Sequence, residues 1–157
     1  MHTNRRKSRE LALQALYASE AGNEDAFNQM LVTADTEASD GAIVDYARKL
    51  VEKTLHAQHE IDRLLSKHTA NWDLKRMTVI DRNILRMAAA ELLFLKETPF
   101  KVVIDEAVEF VLGKLNRPVG TRAKSAQAAG DFEVPRSVIA EAIVNAVAHR
   151  NYRHNGF

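Results

Sequence analysis

The sequence predicts an all-α fold. Three observations carry that expectation: apolar residues recur at spacings of three and four through most of the chain, strand-like alternation is almost absent, and only three Pro and six Gly interrupt 157 residues. A chain of this length buries roughly 70% of its unfolded surface as one domain, so it needs no cross-link to make a core. It contains no Cys, which removes disulfides, thiolate zinc sites, iron–sulfur clusters and cysteine nucleophiles.

Each element follows from the pattern. Between Thr3 and Ser19, the residues Leu11, Ala12, Ala15 and Leu16 share one helical face, and Gly22 stands where that helix would stop. A short helix is expected from Asp25 to Val32. Beyond the polar stretch 33–39, Ile43, Ala47, Leu50, Val51, Leu55, Ile61, Leu64 and Leu65 keep the spacing and predict one long amphipathic helix, ended at Asn71 and Trp72. Thr78 is placed to cap the next helix, because its hydroxyl can accept a backbone N–H and Asp81, three residues on, suits the positive helix end. Ile80, Ile84, Leu85, Ala88, Leu92 and Leu95 form its expected buried stripe. Thr98-Pro99 marks a turn, since the residue before proline is pushed out of helical geometry. From Phe100 to about Leu115 a further helix buries Val103, Ala107 and Phe110 or Val111. Pro118 and Gly120 end it, a linker covers 117–134, and a last helix spans 136–152 with Val138, Ala142, Val144, Val147 and Ala148 expected inside. No internal repeat is visible.

Net charge is only +1, but its distribution is uneven. Arg5, Arg6, Lys7 and Arg9 crowd the beginning, whereas the stretch from Glu20 to Asp45 carries seven acids without a Lys or Arg. Cations at the start of an amphipathic helix can neutralise phosphates, and Arg5 and Arg9, at i and i+4, share a face. Tyr17 offers a ring on which an unstacked base could rest. A solvated basic end accounts for the same charges without any ligand.

Other chemistry finds less support. His56 and His59 lie three apart with no third ligand beside them, the pattern of surface residues rather than of zinc. There is no G-x-S-x-G elbow, and Gly113 and Gly120 are too sparse for a phosphate loop. Asp105, Glu106 and Glu109 read as a solvated helix face. No catalytic residue, cofactor or metal is therefore expected. Apolar runs fall short of the roughly 20 residues that span a bilayer. Glu10 and Gln14 also break the apolar stretch that could imitate a signal peptide, so a cytoplasmic chain is expected.

Three segments together resemble the NusB family of transcription antitermination factors: RRKSRELALQALY from Arg5 to Tyr17, MTVIDRNILRMAAAELLFL from Met77 to Leu95, and TPFKVVIDEAVEF from Thr98 to Phe110. The resemblance implies an all-α bundle of about seven helices in two small subbundles, without catalytic activity. It further implies binding of the boxA element of nascent ribosomal RNA together with the ribosomal protein NusE, inside an RNA polymerase elongation complex with other Nus factors. On matching positions, Arg5, Arg6, Lys7, Arg9 and Tyr17 correspond to the family's RNA-binding segment, and Asp81 to an acidic position facing NusE. Residues 1–110 would then form the RNA-binding helical domain.

After Phe110 the chain departs from the family, and 111–157 is expected to be a divergent tail. The family closes with a helix reading like F-V-N-G-V-L-D that adds RNA contacts, and here only IVNAV at 143–147 resembles it. The tail is also similar to part of the ATP-binding domain of helicase-related proteins with AlbA-type DNA-binding modules, in which Glu141 and Asn145 would match the acid and magnesium-ligand positions. No glycine-rich loop or sheet accompanies them to enclose a nucleotide. Two further readings stay open: a NusB-like domain of an rRNA cytosine methyltransferase without its catalytic domain, and a truncated ATPase-associated DNA-binding regulator.

Overall fold

The computed structural model describes residues 2–23, 25, 28–29, 32, 40–68, 73–115, 140–141 and 143–145. Five α-helices run through them: α1 (His2–Glu20), α2 (Gly41–His56), α3 (Gln58–His68), α4 (Val79–Ala90) and α5 (Phe100–Leu115). No strand occurs among the described residues, so the fold is all-α as the sequence predicts. Asp25, Asn28, Gln29 and Val32, in the expected short helix, are helical. Asn71, Trp72 and the linker 117–134 lie outside the described residues.

α1 buries Ala12, Ala15 and Leu16, while Leu11, expected on the same face, is only half-buried. Gly22 stops the helix with φ +84, a conformation glycine adopts without a Cβ clash. Its N–H donates to the Ser19 carbonyl at 3.0 Å, and the Asn23 N–H donates to Ala18 at 3.2 Å, which satisfies carbonyls the helix end would leave unpaired.

The single long helix expected from Ile43 to Leu65 is in fact two. Asp40 caps α2 by accepting the Ala42 N–H at 3.1 Å, and at Ala57 (φ −100, ψ 13) the chain bends before α3 begins. Apolar spacing stays in phase through the bend, so periodicity alone could not reveal it. The bend has a packing cause: Tyr46, Ala47, Leu50 and Val51 join α1 in one apolar cluster, whereas Ala57, Ile61, Leu64 and Leu65 join α4 and α5 in a second, larger one.

α4 stands between these clusters and packs against each of the other four named α-helices. Thr78 caps it as expected, its hydroxyl accepting the Asp81 N–H at 3.2 Å. Burial departs from the expected stripe: every residue from Asn83 to Ala90 is buried, whereas Ile80, Leu92 and Leu95 are only half-buried. The polar members of that run are paired. Arg86 donates twice to Asp62 on α3, both at 2.7 Å, and Asn83 donates to Glu20 at the end of α1, at 3.1 Å. Glu20 also pairs with Arg82.

Beyond Ala90 the chain continues as a π-helical segment, Glu91–Leu95, closed by Lys96 in the left-handed region (φ 46). Pro99 then opens α5, with the Val102 N–H donating to its carbonyl at 3.0 Å. Val103, Ala107 and Val111 are buried and Phe110 packs partly buried against the larger cluster. In the divergent tail the described residues 140–141 and 143–145 are helical. Ile143 is fully buried in the larger cluster, whereas Val144, expected inside, is exposed. Adjacent helical residues point about 100° apart, and here Ile143 takes the core-facing direction while Val144 turns outward. Val138, Ala142, Val147 and Ala148 lie outside the described residues.

Candidate nucleic-acid interface

Helical geometry sorts the residues of α1 before any partner is considered. Lys7, Glu10, Gln14 and Tyr17 fall on one outward face and are all exposed. Lys7 and Tyr17 are ten residues apart and therefore stand about 15 Å apart along the helix. Arg6 flanks this face, half-buried, beside Glu10. Tyr17 is 51% exposed, and Lys7 has no ion pair among the described residues.

Arg9 points the other way, which corrects its expected place among phosphate-binding cations. Its side chain is 3% exposed and reaches between helices to Glu91, itself 2% exposed. The two meet in a fork: Arg9 Nε donates to Glu91 Oε2 at 2.9 Å and Nη2 donates to Oε1 at 2.6 Å. The Tyr46 hydroxyl of α2 donates to the same Oε1 at 2.8 Å, so one carboxylate ties α1, α2 and the π segment together. Burial pulls the Arg9 pKa down, but the hydrogen bond and charge of Glu91 outweigh it and the guanidinium ends above its ordinary value. Burial above all pushes the Tyr46 hydroxyl up to about 12, with the Glu91 charge adding to the shift and the Thr98 hydroxyl working against it. Arg9 therefore fixes the position of α1 and is closed to RNA in this conformation.

Arg5 and Arg6 occupy an intermediate position. Arg5 lies over the Tyr46 ring, 3.6 Å from its centroid, and pairs with Glu97 at 2.8 Å. Arg6 pairs with Glu109 of α5 at 2.8 Å and lies near Glu10 at 3.6 Å and Glu106 at 4.0 Å, above the Phe110 ring. The hydrogen bond to Glu109 chiefly raises the Arg6 pKa. The expected solvated face of Asp105, Glu106 and Glu109 is thus corrected in part. Glu106 and Glu109 supply counter-charge to α1, with Glu106 Oε2 also 4.0 Å from Arg9.

Asp81 sits half-buried in the first turn of α4. Because Arg9 meets Glu91 while Glu20 meets Arg82 and Asn83, α1 and α4 run antiparallel. Asp81 is thus about 15 Å along α4 from Glu91 and from the basic end of α1. The structure places Asp81 and the basic end at opposite ends of the α1–α4 pair.

Glu91, Tyr46 and Glu97 were missed by sequence reasoning. Glu91 did leave a signal, since it is the lone charge in the apolar run Met87–Leu95, and an acid at a core position needs a buried partner. Tyr46 looks like one more apolar residue of an amphipathic stripe, and Glu97 like an ordinary turn residue. His56 and His59 are exposed, and no group of three metal-ligating side chains is placed to hold a metal among the described residues. No described helix is long and apolar enough to cross a membrane.

The sequence model of the NusB family matches residues 6–114. The chain is 43% identical over 108 residues to the transcription antitermination protein NusB of Elusimicrobium minutum, covering 68% of this chain and 77% of that one. It is 40% identical over 111 residues to NusB of Chloroherpeton thalassium; that match covers 69% of this chain but 52% of the relative, so the chain spans about half of that longer protein. Among solved structures, T. maritima NusB superimposes with a TM-score of 0.68 at 28% identity, over 92% of this chain and 90% of the other. With the family pattern running from α1 into α5, the chain belongs to the NusB family.

Proposed function

We propose that this chain is a non-catalytic transcription antitermination factor acting in the cytoplasm, which binds boxA RNA of ribosomal RNA operons together with the ribosomal protein NusE. Through that complex it joins the RNA polymerase elongation machinery with other Nus factors. The observation that carries the reading is the outward face of α1, where Lys7 and the flanking Arg6 stand with Gln14 and Tyr17 on one surface. Cations there meet the phosphates, and the exposed Tyr17 ring takes an unstacked base. Arg9 acts indirectly, by holding the helix through Glu91. Residues 1–110 supply this surface, while the tail 111–157 contributes packing through Ile143. Asp81, at the far end of α4, is the acidic position offered to NusE.

Fluorescence anisotropy with boxA RNA and a scrambled control, with and without NusE, tests the reading. Selective binding enhanced by NusE is expected. Arg6→Gln with Lys7→Gln lowers RNA affinity and reduces the log–log salt slope by about 0.7 for each phosphate no longer neutralised. Asp81→Lys weakens NusE binding and leaves binding of RNA alone unchanged. Equal affinity for boxA and scrambled RNA under all conditions overturns the assignment.

A further inference from the structure

The start of α1 is strongly basic in sequence but close to neutral in space. Arg5, Arg6 and Arg9 meet Glu10, Glu91, Glu97, Glu106 and Glu109, and most of these carboxylates arrive from remote parts of the chain. The partners differ in how firmly they hold. Arg9 and Glu91 are sealed, whereas Glu97 is 45% and Glu109 58% exposed, so each can swing into solvent. When that happens the arginines keep a support, since Arg5 lies on the Tyr46 ring and Arg6 over Phe110.

Building on the RNA-binding reading above, we propose that Glu97 and Glu109 are built-in competitors of RNA phosphate, which occupy Arg5 and Arg6 until a bound strand displaces them. A phosphate that takes either guanidinium replaces one anion by another and gains little from the exchange. It also leaves a freed carboxylate beside the RNA backbone, where like charges repel. Backbone contacts alone then bind weakly. A strand is retained through the contacts that need no exchange, those of Lys7 and of a base on Tyr17.

The test compares Glu97→Gln and Glu109→Gln, singly and together, with wild type in the full chain, titrating a short single-stranded oligouridylate over a range of salt. Affinity is expected to rise about two- to fivefold per glutamate, the scale set by exposed ion pairs. The log–log slope steepens by up to about 0.7 for each arginine released. Glu52→Gln, at an exposed position of α2 outside these ion pairs, controls for the change in net charge and is expected to leave the slope unaltered. If the double variant binds no tighter than Glu52→Gln, or more weakly than wild type, the competitor role is overturned. Failure of the RNA reading itself would look different: Arg6→Gln with Lys7→Gln would then leave boxA affinity untouched.

Discussion

Replacing Arg9 by Met keeps an apolar stem of similar length and removes the one cation that faces Glu91. The carboxylate left behind is 2% exposed and retains only the Tyr46 hydroxyl as a hydrogen-bond donor. Removing one partner of a buried pair costs about 3–5 kcal/mol, about a fifth or more of the stability of an ordinary domain. At about 2–4 °C per kcal/mol for a domain of this size, the melting temperature falls by about 6–20 °C. The double variant Arg9→Met with Glu91→Leu removes both charges and recovers most of that loss, because the pair's attraction largely offsets its own desolvation. Thermal unfolding followed by circular dichroism measures both, and salt titration of RNA binding adds an independent readout. The double variant is expected to keep the wild-type salt slope, since Arg9 touches no phosphate. A single variant as stable as wild type, or a refolded double variant whose slope falls by about 0.7, refutes the reasoning.

Three further outcomes are expected. Tyr46 loses its proton near 10 when unfolded and near 12 when folded. Its contribution is therefore intact below pH 10 and is lost as pH rises towards 12, and the melting-temperature gap between wild type and Tyr46→Phe narrows across that window. A constant gap from pH 9 to 12 contradicts this. Tyr17→Ala leaves the melting temperature nearly unchanged because the ring is exposed, yet weakens boxA binding by about 1–3 kcal/mol as base stacking disappears; unaltered affinity removes Tyr17 from the interface. Ile143→Ala costs about 2–5 kcal/mol by opening a cavity in the larger cluster, and an unchanged denaturant midpoint would separate the tail from the core.

Local rules made much of the fold legible. Thr78 and Gly22 announced a helix start and a helix stop through their own backbone chemistry, and Val103 and Ala107 declared a buried stripe by spacing alone, which left Phe110 and Val111 as alternatives for its next position. The bend at Ala57 was not legible, because an in-phase apolar pattern is the same whether the helix is straight or divided between two clusters. The interface was half legible for a related reason. A run of cations says that charge is present, but it cannot say which charges the fold will neutralise. Arg9 differs from Lys7 only in its angle around α1, and its partner is 82 residues away. Glu97 and Glu109 come to Arg5 and Arg6 across 92 and 103 residues, distances at which no local pattern operates.

The π-helical segment Glu91–Leu95 amounts to one residue inserted into an otherwise α-helical path, visible in the Lys96 N–H reaching five residues back to the Glu91 carbonyl at 3.3 Å. Were the same five residues to wind as α-helix instead, everything beyond them would be carried round by about one residue's angle, roughly 100°. Glu97 and Thr98 would turn away from Arg5 and Tyr46, and α5 would present a different edge to Arg6. Substitutions at Leu92 or Leu93 need only preserve bulk, since both lie at the margin of the core, so long as the five residues keep their wide winding. Its winding, more than the identity of its side chains, works as a phase setting that brings the carboxylates after α4 round to meet the arginines of α1.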